Sequence, residues 1–279
     1  MDFTGKFYQA QAVIDPVYNN ESLFDFAESA GISLALENSS DLHCFIYAHS
    51  REELSAFVRT INDFFGNGMK WEISEIDPQN YQKAYYNTYN VIETDAFLIR
   101  PFFREHYDSH LKEIVLDPGL NFGTGSHETT RLLLDMMPLI DFADKRVLDI
   151  GCGSCILTFA SSLLGAGSAI GFDTDINMVY SCSGNNELND TANTFFFNGS
   201  IDALRTDALF DIILLNMLPS NFRTLFEQVS DHLTESGLLL LTGMLREDRV
   251  LYRDFVLAHN YNIIREESLD DWHAFLLSL

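Results

Sequence analysis

Basic residues are scarce in this chain. Its 279 residues include 17 Lys+Arg against 41 Asp+Glu, a formal net charge of −24. The deficit is not local: residues 1–110 carry 7 basic and 17 acidic groups, and residues 111–279 carry 10 and 24. A protein that grips nucleic acid by its phosphates needs a basic face, so direct nucleic-acid binding is not expected. Long apolar runs are also lacking. No stretch reaches the roughly 18 apolar residues that a membrane-spanning helix requires. The N-terminal MDFTGKFYQAQAVID has no basic segment followed by an apolar one, as a secretory signal would. No membrane association is expected, and the cytoplasm is the expected location. Cysteines are few: Cys44, Cys152, Cys155 and Cys182, without the spacing of a disulfide framework. Cys152 and Cys155 form a Cys-x-x-Cys, but no second pair stands near it, so no metal site is expected. Internal repeats and low-complexity segments are absent.

What is present is an ample core and a change of pattern along the chain. Hydrophobic residues make up 47% of the sequence. Residues 5–14, 32–37, 43–48 and 69–76 read as strands, and 20–30 and 50–66 as helices. The order β-α-β-β-α-β is the ferredoxin-like arrangement and predicts a small domain over residues 1–77. Residues 78–111, rich in tyrosine (Tyr81, Tyr85, Tyr86, Tyr89), read as a connector. From residue 112 to 279 strands and helices alternate, which predicts an α/β domain built on a parallel sheet. The last helix before the final strands covers VLYRDFVLAHNYN, and NFRTLFEQVSDHLTESG reads as the helix before that.

Chemistry concentrates in this second domain. In VLDIGCGSC (147–155) an apolar strand ends at Asp149 and turns through Gly151 and Gly153 into a helix. Glycines there allow a sharp turn and a close approach to a ligand. The Asp-x-Gly-x-Gly form differs from the dinucleotide fingerprint and suits S-adenosylmethionine. Asp173 follows 24 residues after Asp149, at the end of the next apolar strand, where a carboxylate can accept both hydroxyls of a ribose. Asp175 is the better candidate for a helix N-cap. Asn216 ends the strand DIILLNML, at the sheet edge where a ligand crevice opens, and can accept a hydrogen bond from an amine. The loop DPGLNFGTGSHETTR (117–131) has the composition of a segment that covers a cofactor. His127, taken alone, reads as a structural residue.

These segments together resemble the ribosomal protein L11 methyltransferase family, PrmA. The family's D-P-G-x-x-F-G-T-G-x-H-x-T-T segment stands here as DPGLNFGTGSHETT, residues 117–130. VLDIGCGSCIL, GFDTDINMV, NNELN, NMLPSNFRTLF and LTGML follow in the family's order, and DDWHAFLL resembles its closing strand. The likeness covers roughly residues 112–279. It implies a Rossmann-like class I methyltransferase domain behind a small ferredoxin-like α+β domain, with S-adenosylmethionine as cofactor. By resemblance the cofactor contacts are Thr130, Gly151, Asp173 and Asn216, with Gly123, Thr124, Gly125 and His127 lining the same pocket. Gly153 and Asp149 complete the set, and Asn216 is the catalytic candidate. The implied substrate is a basic protein, ribosomal protein L11, methylated on its N-terminal and lysine amines. Three departures from the pattern stand out: Cys155 stands where the family has a third glycine, Glu128 where it has proline, and Tyr85 and Tyr86 where it has tryptophans. A methyltransferase for another protein or a small molecule, and a binding protein that kept only the fold, remain open readings at this point.

Overall fold

The computed structural model describes residues 7–14, 34–38, 42–48, 50–65, 69–77, 86–87, 89–118 and 123–279. The chain divides into two compact units, one of residues 1–90 with 119–122 and the other of residues 91–118 with 123–279.

In the first unit, β1 (Phe7–Ile14), β2 (Leu34–Asn38), β3 (Leu42–Ala48) and β4 (Glu72–Ile76) form a sheet of order β2-β3-β1-β4 with antiparallel neighbours. This is the expected ferredoxin-like sheet. Helix α1 (Arg51–Phe65) sets its buried Leu54 and Ile61 against Ala10, Ala12, Cys44 and Ile46. The helix expected over 20–30 lies outside the described residues, as do Tyr81 and Tyr85.

The second unit opens with β5 (Ile92–Glu93), β6 (Phe97–Pro101) and β7 (Lys112–Leu116), a separate three-stranded sheet. Within the stretch 78–111 that the sequence offers as a connector, Phe97, Leu98 and Ile99 of β6 are buried. The apolar run 96–99 is too short to show a period.

The main sheet has order β10-β9-β8-β11-β12-β14-β13. Its strands are β8 (Arg146–Ile150), β9 (Ser168–Asp173), β10 (Thr194–Asn198), β11 (Phe210–Asn216), β12 (Leu233–Leu245), β13 (Asn262–Leu269) and β14 (Trp272–Ser278). Neighbours are parallel from β10 through β12. The expected parallel sheet runs as far as β12; of the two closing strands, β14 lies antiparallel to both β12 and β13. The reason is local. Asp270, at φ 49°, turns the chain between β13 and β14 too tightly for a crossover helix. Likewise α5 (Pro219–Asp231) is shorter than the run read as helix, because β12 starts at Leu233.

Both faces of the sheet are buried, as in a doubly wound fold. Along β11, Ile212 and Leu214 enter one core and Ile213 and Leu215 the other. Helices α2 (Glu128–Met136), α3 (Ile156–Leu163), α4 (Ile176–Asn189), α5 and α6 (Arg249–Ala258) complete the unit. Strand order reverses between β8 and β11. A ligand crevice is expected beyond the carboxyl ends of the strands at such a switch point.

Candidate functional site

The chain after β8 is shaped by backbone bonds to the neighbouring strand. The N–H groups of Gly151 and Cys152 both donate to the Phe172 carbonyl at the end of β9, at 2.9 and 3.1 Å. The chain then passes through three consecutive odd positions with positive φ: Gly151 at 69°, Gly153 at 49° and Cys155 at 65°. A β-carbon on Gly151 would sit 2.9 Å from the Met217 methyl, so a side chain there would have to displace that methyl as well as hold a positive φ. Cys155 has a side chain in the left-handed region, which costs about 1–2 kcal/mol. It serves as the N-terminal boundary residue of α3 without a side-chain cap. The departure seen in the sequence therefore falls on a position whose backbone favours glycine.

Asp173, at the end of β9, reaches this turn. Its Oδ2 accepts from the Gly153 N–H at 3.2 Å and its Oδ1 from the Asp175 N–H at 3.0 Å. A carboxylate has about four acceptor directions, so two protein bonds leave capacity for a ligand. Asp175 caps α4 through the Asn177 N–H, as its sequence position suggested.

Asp149 is placed differently. It is 2% exposed, inside the fold, and accepts from the Thr158 hydroxyl at 2.7 Å. Burial pushes its carboxyl up to about 7, with the nearby Asp173 charge adding to the rise and the Thr158 bond opposing it. It supports the turn from below.

Asn216 and Thr130 come together from β11 and α2. The Asn216 amide Nδ2 donates to the Thr130 hydroxyl at 3.2 Å, and Thr130 is fully buried. With Nδ2 engaged, Oδ1 is the atom of Asn216 left to accept. His127 is the N-cap of α2. Its Nδ1 accepts from the Thr129 N–H at 3.2 Å, which puts the proton of the neutral ring on Nε2, and the ring meets Trp272 edge-on at 4.9 Å. Gly123 is tied to the turn because Ser154 Oγ donates to its carbonyl at 2.5 Å. Gly125 packs where a β-carbon would come 3.2 Å from Ile156 Cδ1. Thr124 and Ser126 share a hydroxyl contact of 2.9 Å. Residues 119–122 of the loop lie outside the described residues.

Several supporting residues were not singled out from the sequence. Met178, Cys182, Asn185 and Asn189 are spaced 4, 3 and 4 along α4, one stripe of the helix. Asn185 accepts from the Asp117 N–H at 2.8 Å, and its amide donates to the Ser154 carbonyl at 3.3 Å. Asn189 brackets Val115, accepting from its N–H at 2.8 Å and donating to its carbonyl at 2.7 Å. The two asparagines thus hold β7 and the start of the glycine loop against the turn. Their sequence signal was present: asparagine is a poor helix former, and two at i and i+4 imply partners.

Cys182 on the same stripe is bonded to Cys155 as a disulfide, with Cα atoms 5.6 Å apart across 27 positions. This corrects the expectation drawn from spacing, which offered no pairing. The sulfur atoms of Cys152, Cys155 and Cys182 all lie within 4.8 Å of one another and are buried.

Gly243 was also missed as a determinant. It has φ 105°, and a β-carbon there would collide with the Met217 backbone carbonyl. Met217 follows Asn216, so this glycine lets β12 press against the catalytic candidate's strand end. Gly243→Ala is expected to destabilise the fold by about 2–4 kcal/mol through strain and overpacking. Thermal unfolding by circular dichroism checks this, and an unchanged Tm would refute the tight contact.

A family model described as ribosomal protein L11 methyltransferase (PrmA) matches residues 10–278. A ribosomal protein L11 methyltransferase of Shewanella baltica (strain OS195) is 32% identical over 201 residues, spanning 72% of this chain and 68% of that protein. The protein of the same name from Shewanella sp. (strain ANA-3) is 32% identical over 210 residues, 75% of this chain and 71% of that protein. The crystal structure of ribosomal protein L11 methylase from Lactobacillus delbrueckii subsp. bulgaricus superposes with a TM-score of 0.63 at 26% identity. It covers 68% of this chain and 98% of that one.

Proposed function

Since the chain belongs to the ribosomal protein L11 methyltransferase (PrmA) family and is an S-adenosylmethionine-dependent protein methyltransferase, we propose that it methylates amines of ribosomal protein L11 at the site built by Gly151, Gly153, Asp173, Thr130 and Asn216. The observation that carries this reading is the placement of Gly151, Gly153, Asp173 and Asn216 at the carboxyl ends of β8, β9 and β11, with Thr130 of α2 bonded to Asn216, where the strand order reverses. The donor set fits an adenosyl cofactor. Gly151 holds a positive φ that lets the backbone turn sharply at the end of β8, and Asp173 keeps acceptor capacity for ribose hydroxyls. Gly123, Thr124, Gly125 and His127 line the same pocket in this reading, and Asp149 acts through the turn it supports.

The bound sulfonium supplies an activated methyl group. The chain's own task is then to present a neutral amine in line with it. A lysine ammonium has a reference pKa near 10.4, so it must lose a proton first, and a dry pocket favours that neutral form. Asn216 Oδ1 accepts a hydrogen bond from an amine N–H and so orients the lone pair, while Thr130 fixes the amide's rotation. Positioning of this kind is a large part of catalysis for a displacement that needs no covalent intermediate.

The charge of −24 supports a basic protein partner, because a strongly acidic surface speeds encounter with one and repels nucleic acid. Among the described residues no helix is long and apolar enough to cross a membrane. The reading places the protein in the cytoplasm, with its substrate.

Purified protein incubated with S-adenosylmethionine and ribosomal protein L11 is expected to add mass in steps of one methyl group. Asn216→Ala is expected to lower kcat by about 10²-fold, the loss typical of one positioned polar group. Full activity in that variant would remove Asn216 from the catalytic role. Methyl transfer to other amines but not to L11 would redirect the substrate.

A further inference from the structure

The motif turn and helix α4 are joined by a bond that the methyl-transfer chemistry does not use. Cys155 occupies the third positive-φ position of the turn, two residues after Gly153. Its partner Cys182 sits on the α4 stripe, with Sγ 3.3 Å from the Gly153 carbonyl oxygen. A third sulfur is adjacent: Cys152 Sγ is 3.6 Å from Cys155 Sγ. Met178 closes the group, its Sδ 3.2 Å from Cys182 Sγ and 3.6 Å from Cys152 Sγ. Four sulfurs therefore surround the backbone that turns from β8 into α3, and two of them are linked. The linked residue holds a backbone conformation that a side chain disfavours.

We infer that the Cys155–Cys182 bond is a reversible thiol–disulfide device that sets the cofactor affinity of the adjacent turn, with the bonded state the tighter binder. The inference rests on the cofactor reading given above. The bond ties Cys155 to α4, and α4 also carries the Asp175 cap beside Asp173 and the asparagines that hold the glycine loop. In the bonded state the left-handed Cys155 is held from two directions. Once the bond is broken, nothing covalent opposes relaxation of that residue, and the Gly153 N–H that meets Asp173 moves with it. The free Cys182 thiol then gains a proton that it can donate to the Gly153 carbonyl, which favours a second arrangement of the same turn. In a reducing compartment a disulfide is usually transient or regulatory rather than structural, which is the condition the proposed location creates.

The chemistry balances with ordinary reactants. Cys152, the least buried of the three at 6% exposure against 0% for the others, is the entry point. Its thiolate attacks Cys155 Sγ, the Cys155–Cys182 bond breaks, and Cys182 leaves as a thiolate that takes up a proton. An external dithiol then reduces the new Cys152–Cys155 bond, becomes a cyclic disulfide, and leaves three thiols. In reverse, a hydroperoxide accepts two electrons and two protons from two thiols, and its O–O bond is cleaved to an alcohol and water. Burial raises the Cys152 thiol well above its ordinary value, so little thiolate exists and exchange is slow on the scale of catalysis.

The full chain is prepared in two forms, one treated with hydrogen peroxide and desalted, the other with dithiothreitol. Cleavage before aspartate separates residues 149–172, which hold Cys152 and Cys155, from 175–189, which hold Cys182. Mass spectrometry is expected to find these peptides linked in the first form and free in the second. Calorimetric titration with S-adenosylmethionine is expected to show about tenfold weaker binding in the reduced form. By linkage, saturating cofactor lowers the midpoint potential of the pair by about 30 mV for that tenfold factor. Cys182→Ser and Cys182→Ala are expected to bind with the reduced form's affinity under both treatments. Equal affinities in the two forms, or unlinked peptides after peroxide, would overturn the inference. So would zinc(II) retained at one equivalent by the reduced chain through desalting, which would make the three sulfurs a metal site. No binding in either form would overturn the cofactor reading itself, and linked peptides would then leave the bond a purely structural cross-link.

Discussion

Asp173→Ala is expected to weaken S-adenosylmethionine binding at least 100-fold. A hydrogen bond to a charged group contributes about 1.5–3 kcal/mol, and the ribose offers two hydroxyls to this carboxylate, which by the affinity scale amounts to two or more powers of ten. The loss has a second source within the protein. Asp173 also accepts from the Gly153 and Asp175 N–H groups at 3.2 and 3.0 Å, so its removal frees the turn and the start of α4 together. Asp173→Asn separates the two contributions, because it keeps one acceptor oxygen but loses the charge. Calorimetric titration of the three proteins is the measurement. An alanine variant that binds within threefold of the parent would show that the cofactor is held elsewhere.

The second large effect concerns stability. Asp149→Asn is expected to gain stability relative to the parent as pH rises from about 4 to about 7. The folded-state pKa of Asp149 is raised to about 7 by burial, from an ordinary value of 3.8. Between those values the folded protein holds a proton that the unfolded chain has released, so stability falls as pH rises through that window and levels off above it. The full effect approaches about 4 kcal/mol at about 1.4 kcal/mol per unit. Asparagine cannot ionise, so the variant lacks this slope. Whatever constant offset its NH₂ group introduces, the difference in Tm between variant and parent must grow in the variant's favour from pH 5 to pH 8. A difference independent of pH would mean that Asp149 is ionised in the fold throughout.

Both residues were legible as members of a motif, and their separation into different roles was not. Asp149 and Asp173 end adjacent parallel strands in similar sequence settings, VLDIG and GFDTD. One is sealed under the turn against Thr158 and the other stands at its edge. Burial depends on what α3 lays over the strand end. Thr158 is nine residues beyond Asp149, and nothing in the sequence marks it as a partner. The cysteines make the same point. Cys152 and Cys155 draw attention by their spacing, yet the bonded pair is Cys155 with Cys182, because a helix from the next βα unit passes behind the turn.

The residues themselves determined the alternating strands and helices, the glycine turn at 151–153, the acid at the end of the next strand and the identity of the family. Those features rest on local periodicity, on backbone sterics and on short motifs, which neighbouring residues encode. Tertiary structure alone decided the antiparallel closing strand, the pairing of Asn216 with Thr130 across 86 positions, the burial of Asp149 and the link between Cys155 and Cys182. Each of these joins segments far apart in the chain, and their meeting is set by how the helices pack on the two faces of the sheet.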